Sequence, residues 1–304
     1  MKGNMLALWL LLMPTSALAQ GFAGLGADAT GFATPQRGQP LTFPTDHGAH
    51  PEYRIEWWYL TAVLSDDQGN DYGVQWTLFR SAIEPGEGDG FNSPQIWMGH
   101  AGLTTSTRHF SAERFARGGV GQAGAVADPF EAWIDDWHMT SRVAPGQDQF
   151  DALHVAARGE DFSFDLDFTA EGPLIFHGDN GYSVKSFDGQ ASWYYAQPFF
   201  RVEGALDLPD GSVPVSGQGW LDREWSSQPL SDDQSGWDWV SLILDDGHRM
   251  MGFQLRGAQT FTAGTWITPD GNATPLPPGA IQFAPLATAR VAGRDVPVRW
   301  QIDW

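Results

Sequence analysis

From Phe162 to Phe168 every second residue is apolar and every residue between them is polar: Phe-Ser-Phe-Asp-Leu-Asp-Phe. A strand turns successive side chains to opposite faces, so this period of two predicts a strand with one dry face and one wet face. The spacing recurs along the chain. Val74, Trp76 and Leu78 alternate with Gln75 and Thr77, and Trp237 to Leu244 and Met250 to Leu255 flank Asp245-Asp246-Gly247-His248 as the arms of a hairpin. Pro209-Asp210-Gly211 and Pro269-Asp270-Gly271-Asn272 read as turns whose glycine can take a positive φ. Helical periodicity is scarce, and its best candidate is Ser111 to Arg117. Many short strands at hairpin spacing predict an all-β sandwich or barrel. Barrel closure removes the sheet edges that would otherwise aggregate. The body is too long for one eight-stranded barrel, so two antiparallel barrel-like domains in tandem are expected.

Residues 1–19 read as a secretory signal peptide: Lys2, an apolar run from Met5 to Met13, then Ala17-Leu18-Ala19 before Gln20. The run is too short to span a bilayer, which takes about 20 residues. A periplasmic or secreted location without stable membrane insertion is therefore expected. Residues 20–40, rich in Gly, Ala, Thr and Pro, read as a flexible leader. The first domain is placed at 41–228 and the second at 229–304, with the polar segment Ser226 to Gln234 between them. At the C-terminus Val296, Val298, Trp300, Ile302 and Trp304 alternate with polar residues and proline, and the chain stops inside that pattern. The second domain is accordingly expected to be truncated.

The formal net charge of -20 repels phosphate backbones and argues against a nucleic-acid partner. Without cysteine there is no thiol nucleophile and no Cys-ligated zinc. Neither a G-x-S-x-G elbow, an HExxH motif nor a nucleotide-type glycine loop occurs. His47 and His50 with Asp46 and Glu52 make only a weak metal candidate, so no metal and no cofactor is assigned. Fifteen Trp residues suit an aromatic β core or the walls of a site for a hydrophobic small molecule.

Three segments carry charge among aromatics. In Arg54-Ile55-Glu56-Trp57-Trp58-Tyr59, Glu56 and Trp58 face one way and Trp57 and Tyr59 the other. Glu56 is a candidate general acid, since apolar surroundings raise a carboxyl pKa, or else a partner for a cation. In Trp220-Leu221-Asp222-Arg223-Glu224-Trp225, Arg223 is either half of a structural ion pair or the group that sets a carboxylate's protonation state. Asp222 and Glu224 share one face, so Arg223 is expected to reach across to Asp238 or Glu56. In Trp237-Asp238-Trp239, Asp238 turns away from the two indoles, and Arg223 is its first expected partner.

These segments carry a resemblance. His50-Pro51-Glu52-Tyr53-Arg54-Ile55-Glu56-Trp57-Trp58-Tyr59-Leu60-Thr61 resembles the opening signature of the AttH-like, carotenoid 1,2-hydratase-related family. Phe79-Arg80, Ala112-Glu113-Arg114-Phe115, Trp193-Tyr194-Tyr195, Leu221-Asp222-Arg223-Glu224-Trp225-Ser226 and Gly236-Trp237-Asp238-Trp239 follow in that family's order. The resemblance implies two tandem lipocalin-like barrels and membership of a secreted branch labelled predicted hydrolases. It implies an apolar isoprenoid- or lipid-like substrate and acid-catalysed hydration of a C=C bond, with Glu56, Asp222, Arg223 and Glu224 as catalytic candidates. Trp57, Trp58, Tyr59, Tyr194, Trp225, Trp237, Asp238 and Trp239 are the ligand-binding candidates. The alternatives are a non-catalytic periplasmic carrier or a secreted hydrolase. One departure stands out: carotenoid hydratases tend to carry a His-Asn-Trp-like triplet where this chain reads Arg223-Glu224-Trp225. In addition, Met250-Met251-Gly252-Phe253-Gln254 lacks the Tyr and acidic residue expected there for alkene protonation.

Overall fold

Nearly every alternating segment becomes a strand in the computed structural model, which describes residues 30–304 apart from Pro229, Asp232 and Ala292. The expected signal peptide and the first ten residues of the leader lie outside the described residues. The strands are β1 (Ile55–Ser65), β2 (Asp71–Ala82), β3 (Gln95–Thr105), β4 (His109–Arg117), β5 (Ala123–Ala127), β6 (Phe130–Ile134), β7 (Trp137–Ser141), β8 (Ala152–Arg158), β9 (Ser163–Ala170), β10 (Ile175–Phe176), β11 (Tyr182–Val184), β12 (Ala191–Leu208) and β13 (Gly211–Ser226). After a polar connection come β14 (Gly236–Ile243), β15 (Arg249–Arg256), β16 (Phe261–Ile267), β17 (Ala273–Leu276), β18 (Gln282–Val291) and β19 (Arg294–Asp303).

The first thirteen strands form one antiparallel sheet in the order β4-β3-β2-β1-β13-β12-β9-β8-β7-β6-β5, with β10 and β11 added on β12. Its two end strands, β4 and β5, curl toward each other without pairing into a ladder. Arg114 on β4 pairs with Asp136 across the gap and lies 4.4 Å over the Trp137 ring. A side chain at Gly99 on β3 would come within 2.7 Å of the Ile134 methyl, so the glycine admits β6 and β7 into the interior. The result is a nearly closed barrel whose inside is filled by Trp58, Trp76, Trp137, Phe150, Phe164 and their neighbours, a packed core rather than a ligand channel.

β14 to β17 form a four-stranded sheet, and β18 and β19 a separate hairpin. The four-stranded sheet lies against the outer face of the barrel, where Tyr194, Phe199 and Trp220 pack on Met251, Phe253 and Phe261. On the hairpin Leu286, Val291 and Val298 are exposed, and Trp304 stacks on Trp266 at 5.9 Å. Residues 30–40 contain no strand and touch the body through Ala33, whose N–H donates to the Glu52 carbonyl. The helical reading of Ser111 to Arg117 is corrected: the segment is the last seven of the nine residues of β4, which pairs with β3 from His109 to Arg117. Seven residues are too few to separate a helical stripe from alternation, and the pairing with β3 decides the conformation.

Candidate functional site

Residues paired across a strand boundary project from the same face of the sheet. On β1, β2 and β13 that rule separates two constellations that are interleaved in sequence. Glu56 lies opposite Arg80 and Trp225, and Trp58 opposite Leu78 and Arg223, all pointing into the barrel. Trp57 lies opposite Phe79 and Glu224, and Tyr59 opposite Thr77 and Asp222, all on the outer face. On β12, Tyr194 joins the outer set beside Glu224.

The inner constellation is an ion cluster. Arg80 Nε donates to Glu56 Oε2 at 2.8 Å, and Arg223 Nη2 donates to Glu56 Oε1. The backbone N–H and Nδ1 of His50 also meet this carboxylate, at 2.9 and 2.7 Å. Burial alone would raise the Glu56 pKa, but the charges of Arg223, Arg80 and His50 overcome it and hold the group well below the usual carboxylate range. The two arginines also donate to the chain that caps this end of the barrel, Arg80 to the His50 and Tyr53 carbonyls and Arg223 to those of His47 and Gly48, while Arg80 Nη1 reaches Gln95 on β3 and Arg223 Nη1 the Trp57 carbonyl on β1. Arg223 also stands 3.9 Å over the Trp58 ring, and His50 stacks flat on Trp225 at 4.0 Å. Every donor and acceptor here is engaged inside the protein, so the cluster holds the cap and the barrel together.

The outer constellation opens on a cavity of about 410 Å³ between the barrel and the four-stranded sheet. Trp57, Tyr59, Phe79 and Tyr194 come from the barrel, and Trp237, Trp239, Phe253 and Leu255 from β14 and β15. Two carboxylates enter this aromatic enclosure, Asp222 and Glu224. Asp222 Oδ1 accepts a 2.7 Å hydrogen bond from the Tyr194 hydroxyl, which itself accepts one from Trp239 Nε1 at 3.1 Å. Asp222 Oδ2 and the indole N–H of Trp220 are both buried without a hydrogen bond of ordinary geometry. Burial raises the Asp222 pKa to about 7, although the Trp220 and Tyr194 donors oppose the shift. Burial, with the Asp222 carboxyl, also raises the Tyr194 phenol well above its ordinary value and keeps it a donor. Glu224 has a different environment: Lys185 Nζ at 2.7 Å and the Ser192 hydroxyl. The site therefore holds one carboxyl that is half protonated near neutrality and one paired with a cation, both against π faces.

Of the residues singled out in the sequence, Asp222, Glu224, Trp57, Tyr59, Tyr194, Trp237 and Trp239 line the cavity. Glu56, Arg223, Trp58 and Trp225 lie inside the barrel, buried. Arg223 reaches Glu56, one of its two expected partners. The pairing of Arg223 with Asp238 is corrected: Asp238 binds Arg256 and the Gln254 amide, at 2.6 Å for the latter, on the two-stranded register of β14 with β15. His47 and His50 commit their ring nitrogens to Tyr195, Asp148, Glu56 and Asp46, and no three metal-ligating side chains converge among the described residues. Sequence reasoning passed over Lys185, Phe253 and Leu230, which also line the cavity. A signal for Lys185 existed, since it is the only lysine of the chain besides Lys2.

A family profile described as AttH-like matches residues 34–304. Among solved structures, the chain is similar to a putative AttH from Nitrosomonas europaea, with 31% identity and a TM-score of 0.77 over 90% of this chain and 84% of that one. It is also similar to kievitone hydratase from Nectria haematococca, with 14% identity and a TM-score of 0.65 over 90% and 80%, a likeness of fold. Among curated sequences it is 25% identical over 211 residues to the acyclic carotenoid 1,2-hydratase of Thiocapsa roseopersicina, covering 64% of this chain and 46% of that protein. The chain thus spans about half the length of that relative.

Proposed function

The chain belongs to the AttH-like family, and from that premise we propose that the cavity hydrates a C=C bond of an apolar, isoprenoid- or lipid-like ligand. The observation that carries this reading is Asp222, a buried carboxyl facing an aromatic enclosure with its pKa near 7. A general acid works best when its pKa lies near the operating pH. Tyr194 fixes Oδ1 and leaves Oδ2 to carry the proton. In the proposed step Asp222 gives that proton to one alkene carbon, and its neighbour becomes a cation facing the rings of Trp57, Tyr59 and Trp239. Water adds through oxygen and returns a proton to the Asp222 carboxylate, so the product is heavier by one water and the acid is restored. Glu56, the other candidate acid, is held ionised by its arginines and shut away from the cavity. The relative named acyclic carotenoid 1,2-hydratase supports the same reaction class. Incubating the mature protein with acyclic carotenoids and terpenes should yield hydrated product by mass spectrometry; no turnover on any of them would remove the enzyme reading.

A carrier that releases its ligand unchanged is the second reading. It is favoured by the wall from β14 and β15, where Trp237, Trp239, Phe253 and Leu255 bring no acid. Recovery of bound ligand intact from protein purified from its native compartment would decide for it. A hydrolase finds less support, because no Ser, Thr or Cys is among the described residues lining the cavity.

The same proposal includes export. Cleavage after Ala19 should leave a periplasmic or secreted protein beginning at Gln20, and N-terminal sequencing that finds Met1 there would refute it. It also assigns the four-stranded sheet and the hairpin to a second lipocalin-like barrel. Hydrogen exchange in which β14 to β17 open only together with the first sheet, as one cooperative unit, would count against a separate domain.

A further inference from the structure

Lys185 is the only Lys or Arg among the described residues lining the cavity. It comes from the loop after β11, and its ammonium stands 4.2 Å from the Phe253 ring centroid and 4.8 Å from that of Tyr194. Left alone there, it would be a ready anchor for a carboxylate, and the cavity would suit a fatty or isoprenoid acid. Glu224 prevents this. Its carboxylate meets Nζ at 2.7 Å, the two side chains are each only 8% exposed, and Ser192 donates to the same oxygen. A ligand carboxylate could bind Lys185 only by displacing Glu224, leaving one buried anion unpaired, and that is the costly outcome for a desolvated ion pair.

We propose that Glu224 is a specificity-determining residue: by neutralising Lys185 it restricts the cavity to uncharged ligands and excludes their carboxylate counterparts. The inference rests on the reading of this cavity as a ligand site and adds the charge class of the ligand. It follows that the same enclosure could be switched in charge preference by altering either half of the pair.

The test uses the mature protein with farnesol, farnesoic acid and farnesylamine, which share one chain and differ at the head group. Affinities are read from quenching of tryptophan fluorescence at pH 6, where Asp222 is mostly protonated and the two charged probes are ionised. Wild type should bind the alcohol in preference to both ions. Glu224→Gln should shift the acid-to-alcohol affinity ratio toward the acid by roughly tenfold or more, and adding Lys185→Met should abolish the shift. The mirror variant Lys185→Met alone, which leaves Glu224 unpaired, should favour the amine by a comparable factor; it keeps the test valid if Glu224→Gln does not fold. Binding of all three probes with unchanged ratios in the folded variants overturns this proposal and leaves the ligand site standing. Failure of every probe to bind any variant overturns both.

Discussion

Replacing Arg223 by methionine is expected to destabilise the protein by roughly 3–5 kcal/mol, the cost of breaking a buried ion pair from one side. Methionine fills the space and keeps contact with Trp58 and Trp225, so the loss isolates charge and hydrogen bonding from packing. Four acceptors lose a donor, the Glu56 carboxylate and the His47, Gly48 and Trp57 carbonyls, and the fully buried carboxylate cannot turn to solvent. Arg80 and His50 still face Glu56, but their own geometry is already committed. Chemical denaturation of both proteins under one condition gives the difference. A second change, Glu56→Gln in the Arg223→Met background, should recover part of the loss, because an amide tolerates the missing cation better than a carboxylate does. Additive effects of the two changes would mean that the residues do not interact. Melting of Arg223→Met within a degree or two of wild type would show that the cluster does not hold the barrel cap.

Asp222→Asn should act in opposite directions on activity and stability. Removing the acid should lower turnover roughly 10²- to 10⁴-fold, the usual range for general acid–base catalysis. Stability depends on pH. The folded protein keeps the Asp222 proton up to about 7, whereas an ordinary aspartate loses it near 3.8. Between those values the folded state binds more protons than the unfolded chain, so this group's contribution to stability falls as pH rises and is fully lost above 7. At about 1.4 kcal/mol per pKa unit the penalty reaches about 4 kcal/mol. Asparagine has no proton to lose and can still accept from Tyr194. The variant should therefore match wild type near pH 4 and exceed it by about 4 kcal/mol at pH 8, as read from paired unfolding curves. Parallel curves across that range would mean that Asp222 is ionised and hydrated in the folded protein. Hydration at the wild-type rate by Asp222→Asn would assign the proton to another group.

Much of this arrangement is local and therefore legible in sequence. A strand alternates whatever lies beside it, so Glu56 with Trp58 on one face and Trp57 with Tyr59 on the other follow from four consecutive letters. The same holds for Asp222 and Glu224 against Arg223, and for the hairpin turn at Asp245 to His248, where Gly247 takes φ 86° and the Leu244 N–H meets the His248 carbonyl. Alternation tells which residues share a face, but nothing in it tells what that face meets. Asp238 illustrates the limit: alternation turns it away from the indoles but does not reveal that β15 brings Arg256 beside it. The mistaken helix at Ser111 has the same origin, since its neighbour β3 settles the matter. Lys185 arrives from a loop with no period at all.

The sequence by itself determined that the chain is all-β, where most strands and turns fall, and which charged residues stand beside indoles. Only the tertiary structure decided which face of β1 and β13 is the dry interior and which is the wall of a cavity. That choice joins Glu56 to Arg223 across 167 residues of chain and brings Trp239 from a second sheet to the Tyr194–Asp222 pair. Two carboxylates of the same chemistry are thereby separated. One sits among arginines and is held ionised, and the other sits buried among aromatic rings, where desolvation outweighs its donors and the Lys185 charge and raises its pKa to about 7. Desolvation and neighbouring charge set a pKa, and both are properties of three-dimensional surroundings that strand period does not encode.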